Sequence, residues 1–192
     1  MVFYDRKNIR LKDHDYSGPG YYFVTINVKH ARCCLGRVAG GKIILNQFGK
    51  IVANQWKSLP QHYPYCRIDE FIVMPDHFHG ILEIGDVRAA VPSRPTKAWV
   101  PSEGAWGQAP LHNLSSIIRA FKLFSAQRIN ALGPKIPFQW HRSYYDHIIR
   151  NEKSLANIRQ YIRNNPRPWV LDEKNKKNEL KIASWKGIYF HI

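Results

Sequence analysis

The chain has 192 residues, enough for one substantial core and short for two full domains. Hydrophobic residues make up 44% and aromatics 13%, which argues against disorder, and no apolar run reaches the roughly 18 to 20 residues of a membrane span. Lysine and arginine number 29 against 14 aspartates and glutamates, a net charge of +15, and with six Trp, ten Tyr and nine Phe this fits nucleic acid better than a membrane surface.

The leader MVFYDRKNIRLKDHD carries no secretory signature, so a cytoplasmic protein is expected. After the breaker SGPG, YYFVTINVKH (21–30) is rich in β-branched and aromatic residues and reads as a strand. The three cysteines, with Cys33 next to Cys34, make neither an even disulfide set nor a C-x-x-C pattern, and read as reduced thiols. GKIILN (41–46) reads as a second strand or hairpin arm, and QFGKIVANQWKSL (47–59) as a helix with Phe48, Ile51, Val52, Gln55 and Leu59 near helical spacing. YCRIDEFIV (65–73) is the next strand, Pro75 and Asp76 make a turn, and HFHGILEI (77–84) returns antiparallel to it.

Residues 86–110 contain four prolines and no usable period, and read as a surface insertion. A helix resumes over 111–132, with Leu114, Ile117, Ile118, Phe121, Phe124 and Ile129 on its apolar side. A strand follows over 138–150, then a helix over 151–166 with Leu155, Ile158 and Ile162 inward. Pro166 is expected to end that helix, because a residue before proline is pushed out of the α region. The order of elements predicts an α+β protein with helices against one antiparallel sheet, followed by a basic tail.

The chemistry concentrates in two stretches. In FIVMPDHFHGILEI, His77 and His79 are two apart on a strand, so both imidazoles meet one volume and Phe78 faces away. That spacing suits a divalent cation with an oxygen-bearing third ligand, or else two half-buried histidines. In YIRNNP, Tyr161 and Asn165 are four apart and share a helix face, placing a phenol beside an amide oxygen that could complete a metal site. Taken alone, Tyr161 reads first as a boundary aromatic, Asn165 as a helix C-cap, and Asp76 as a local cap before it reads as a base. Tyr144 and Tyr145 compete with Tyr161 as nucleophiles, though a strand position suits packing or base stacking better.

The order of GYYFVTINV, FIVMPDHFHGILEI, QWHRSYYDHIIRNEKSL and YIRNNP resembles the HUH single-strand tyrosine transposases, most closely their REP-associated bacterial branch, over residues 18–172. The resemblance implies a single ferredoxin-like catalytic domain over 1–172, interrupted by the insertion at 86–110, with 173–192 as the basic tail. It implies a substrate of single-stranded DNA with hairpins, cut and rejoined through a 5′-phosphotyrosine. His77 and His79 then hold Mg²⁺ or Mn²⁺, Asn165 takes a ligand position where many relatives carry Gln, and Tyr161 is the nucleophile. Arg142, His147, Arg150, Arg159 and Arg163 flank the site as candidate phosphate contacts. The competing readings are a nucleic-acid-binding relative without cleavage and a metal-dependent nuclease that uses water. A monomer and a homodimer are both compatible with the sequence.

Overall fold

The computed structural model describes residues 18–85 and 113–171. In chain order these form β1 (Gly20–Asn27), a 3₁₀ turn (Lys29–Ala31), β2 (Gly36–Ala39), β3 (Lys42–Leu45), α1 (Gln47–Lys57), α2 (Leu59–His62), β4 (Cys66–Val73), β5 (His77–Ile84), α3 (Leu114–Asn130), β6 (Tyr145–Ile149), α4 (Glu152–Asn164) and α5 (Pro166–Leu171). The leader, the insertion at 86–110 and the tail at 173–192 lie outside the described residues.

Four strands make one antiparallel sheet in the order β4-β5-β1-β6, and β2 pairs with β3 in a separate ribbon. With α1 between β1 and β4, and α3 between β5 and β6, this is the ferredoxin-like arrangement, an α+β fold as expected. Three helices begin alike: the side chains of Asn46, Asn113 and Asn151 accept hydrogen bonds from the backbone N–H groups of Gly49, Ser116 and Ser154 at 3.0, 3.0 and 2.8 Å. Each satisfies a donor that the first helical turn leaves open.

Strand alternation divides the sheet into two faces. Tyr22, Val24 and Ile26 of β1 and Phe78 and Leu82 of β5 enter the main core with Val52 and Trp56 of α1 and Ile117, Ile118 and Phe121 of α3. Phe23 and Ile81 turn to the opposite face, where Leu155 and Ile162 of α4 cover them with Ile149. Helices α1 and α3 therefore build the larger layer, and among the described residues α4 covers the second face, with Trp169 of α5 beside His77 at its end.

Three local expectations are revised. The strand expected over 138–150 is regular only at Tyr145–Ile149. Upstream, Trp140 makes a single bridge to Val28, and its indole N–H donates to Ser125 Oγ at 2.9 Å inside the core. Lys122 donates to the carbonyls of His141 and Arg142 at 2.8 and 2.9 Å, holding the segment as a loop. Pro166 does not push its neighbour out of the α region: Asn165 has φ −52° and ψ −34°, and Pro166 opens α5. A proline at a first helical position lacks only an N–H that has no intrahelical partner there. The ribbon also has an arm, β2, that the sequence reading did not mark; Gly40 and Gly41 turn the chain between its arms with positive φ.

Gly80, between His79 and Ile81, lies on the core face. A β-carbon there would stand 2.6 Å from Trp56 and 2.8 Å from Phe78, both rings without free space. Gly80→Ala is expected to cost about 1 to 3 kcal/mol by overpacking, read as a lower urea midpoint with an unchanged slope. An unchanged midpoint would mean that Trp56 is not seated against β5.

Candidate active site

The turn before β5 is fixed by its backbone. Met74 N–H donates to His77 C=O at 2.8 Å, Asp76 C=O accepts from Val28 N–H at 2.7 Å, and Pro75 C=O accepts from Leu35 N–H at 3.0 Å. From that turn β5 runs with Phe78 fully buried in the core, so His77 and His79 project together on the second face, their ring centroids 4.6 Å apart.

Each imidazole is held by a different partner. His77 Nδ1 lies 2.6 Å from Asp76 Oδ1, and Trp169 of α5 stands 5.5 Å from the ring. His79 Nδ1 lies 2.8 Å from the hydroxyl of Thr25, its cross-strand partner, and its ring stacks on Phe23 with centroids 5.4 Å apart. When Asp76 and Thr25 accept these bonds, both Nε2 atoms are left with free lone pairs, the tautomer a metal ligand requires. His79 is only 5% exposed, and burial, helped by the neighbouring His77, pushes its pKa down to about 3.

Helix α4 brings Tyr161 of the second stretch to the same place. The Tyr161 ring is 51% exposed and meets His79 at 5.4 Å and Phe23 edge-on at 6.1 Å. One turn later Asn165 is the C-cap, its N–H bonded to Ile162 C=O at 3.3 Å, and its side chain is buried. Asn165 and Tyr161 line one shallow depression with Asn157, Gln160, Asn164 and Arg167, whose lining includes neither His77 nor His79. Among the described residues no group of three or more His, Cys, Asp and Glu is placed to hold a metal ion. The donor set fits a divalent cation with mixed imidazole and oxygen ligands and positions open to substrate oxygens.

The remaining candidates are dispersed. Tyr144 packs against the main core, its hydroxyl donating to Ser115 Oγ at 3.3 Å. Tyr145 shares the histidine face but pairs with Thr25 from the other side, which puts it two strands, roughly 10 Å, from His79. Exposed His147 pairs with Phe23 on that same face. Arg142 and Arg150 are exposed and ion-paired with no described residue. Arg159 is instead forked onto Asp69, with Nε 2.9 Å from Oδ1, and Arg163 is paired with Glu70. Thr25, Phe23, Asp69, Glu70 and Trp169 are site neighbours that sequence reading missed. Only the register of distant strands and the roll of a helix bring them there.

The fold is shared with a solved transposase. A solved REP-associated tyrosine transposase, bound in its structure to a REP hairpin, superposes with a TM-score of 0.53 at 21% identity, covering 82% of this chain and 72% of that one. No protein-family model matches the chain. An uncharacterized protein of Haemophilus influenzae (strain Rd) is 38% identical over 173 residues, 88% of this chain and 92% of the relative, and the chain belongs to one family with it.

The lowered pKa of His79 has a measurable consequence. Folded His79 resists a proton that the unfolded chain accepts, so its contribution is complete above about pH 6.5 and is lost as pH falls toward about 3. The limiting slope is about 1.4 kcal/mol per pH unit. In urea titrations with chelator present, His79→Gln should flatten the pH dependence between about pH 6.5 and 4.5. Parallel curves for the two proteins would show that the folded imidazole protonates normally.

Proposed function

We propose that the protein is a metal-dependent, single-stranded DNA transposase that nicks and rejoins DNA at hairpin-bearing repeats through a tyrosine. The observation that carries this reading is the Tyr161 ring resting against the buried His79 of a neighbouring histidine pair, on a fold shared with a REP-associated tyrosine transposase. In this reading His77, His79 and Asn165 would hold Mg²⁺ or Mn²⁺, which when bound supplies charge neutralisation at the scissile phosphate.

The chain's own groups supply the rest. The Tyr161 Oη attacks phosphorus in line; its bond to phosphorus forms as the bond to the 3′ oxygen breaks. The phenol proton leaves Tyr161, the departing oxygen gains a proton to become a 3′-OH, and the DNA stays attached as a 5′-phosphotyrosine. Phosphodiester energy is conserved in that link, so a 3′-OH from another strand can reverse the step without a nucleotide cofactor. Asp76 and Thr25 hold the imidazoles in one tautomer and orientation. Phe23 fills the space beneath Tyr161 and His79, a contact that favours one ring position.

The +15 charge supports a polyanionic substrate, and Arg142 and Arg150, ion-paired with no described residue, are candidates for phosphate contacts, as is Arg167 beside Tyr161. Log affinity for a hairpin oligonucleotide should fall against log salt with a slope of about −0.7 per single-strand phosphate contact. A salt-insensitive affinity would argue against a nucleic-acid substrate.

Nucleophile and metal ligands are separable in one assay. A hairpin oligonucleotide labelled on the 3′ side of the cut is incubated with Mg²⁺ and run on a denaturing gel. Wild type should carry the label; Tyr161→Phe should bind with near-normal affinity and form no adduct, and His77→Ala should also lose the adduct. Cleavage without adduct would identify a water-using nuclease, and binding without cleavage a non-catalytic module.

A further inference from the structure

The tyrosine helix carries two ion pairs on its far flank. At about 100° per residue, Tyr161 lies about 200° around α4 from Arg159 and from Arg163, with the apolar stripe of Leu155, Ile158 and Ile162 between the two flanks. An apolar stripe alone is a poor stop against rotation, since packing tolerates small rolls. Two directional contacts on one flank can fix a roll that packing leaves loose.

The strand beneath supplies those contacts through an irregularity. Ile68 pairs with Leu82 and Phe71 with Gly80, so Asp69 and Glu70 together oppose the single residue Ile81 in a β-bulge. Regular alternation would send consecutive side chains to opposite faces. In the bulge both carboxylates reach α4: Asp69 receives the fork of Arg159, and Glu70 receives Arg163, one turn farther along. Asp69 Oδ1 also accepts the Glu70 N–H at 2.6 Å, which stiffens the acceptor, and the Arg159 bonds hold the Asp69 carboxyl below the usual range. A forked guanidinium–carboxylate contact restricts angle as well as distance.

We infer that Arg159 and Arg163 are positioning residues that act through α4: anchored on the Asp69–Glu70 bulge, they set the roll that lays Tyr161 on His79. This rests on Tyr161 being the nucleophile, and it gives both arginines a task other than contacting phosphate. Their partners are acidic, so the two roles respond oppositely to loss of the carboxylates. An arginine serving DNA is freed when its carboxylate goes, whereas a positioning arginine loses its anchor.

The test therefore leaves the arginines in place and replaces Asp69→Asn with Glu70→Gln, changes that keep volume. Two readouts are taken: adduct formation at saturating hairpin DNA, and the ¹⁹F resonance of 3-fluorotyrosine at position 161, assigned by its loss in Tyr161→Phe. The account expects DNA affinity unchanged or higher, adduct formation slowed by about tenfold or more, and the Tyr161 resonance moved toward its unfolded position while the other tyrosines stay. Exchanging the charges with Arg159→Asp and Asp69→Arg should restore part of both relative to Arg159→Asp alone. An unmoved resonance with an unchanged adduct rate overturns the inference, as does an adduct rate that rises with affinity. A wild type that forms no adduct while its Tyr161 resonance still moves in the double variant would sink the nucleophile reading and leave the positioning claim standing.

Discussion

Everything at the site follows from the way β5 is shared between two environments. Phe78, Gly80 and Leu82 are committed to the core by α1 and α3, with Trp56 seated where a Gly80 side chain would be. Burying a side chain such as Phe78 is worth about 1.5 to 3 kcal/mol. A slip of one residue would exchange those groups for His77, His79 and Ile81. The two imidazoles are thus held on the second face by the packing of their neighbours, before any ligand acts on them.

That second face is only half closed, and its chemistry depends on this. Apolar contact with Phe23 and Ile81 docks α4, and the ion pairs at Asp69 and Glu70 secure its outer flank. His79 lies deep enough to stay neutral and available as a donor, whereas Tyr161 above it remains half exposed and open to a polymer substrate. Helix α5 closes the end of the arrangement by packing Trp169 with Val38 and Met74 and beside His77. The buried His79 thus lies beneath an accessible phenol, with the partly exposed His77 beside it.

Much of this was legible because it is local. The period-two pattern of HFHGILEI marks β5 at its observed limits and puts both histidines on one side, and the stripe Leu155, Ile158, Ile162 orients α4 with Tyr161 and Asn165 on a common flank. What escaped depends on partners far apart in sequence. Thr25 meets His79 through strand register, 54 residues away, and Asp69 meets Arg159 across 90. The bulge that turns two adjacent acids the same way breaks the alternation from which strand faces are read. Trp140 looked like a strand residue because its β propensity is high, but a hydrogen bond from its indole to buried Ser125 decides its place. Pro166 was expected to stop a helix, and tertiary docking of Trp169 favours a second helix directly after it.

The central claim is that docking of α4 makes Tyr161, among the tyrosines near the sheet, the group that reacts. Mass spectrometry of proteolytic peptides after incubation with a hairpin oligonucleotide, Mg²⁺ and nuclease trimming tests it most directly. The account predicts a nucleotide remnant on the peptide containing Tyr161. A remnant on the peptide containing Tyr144 and Tyr145, with Tyr161 unmodified, would contradict it.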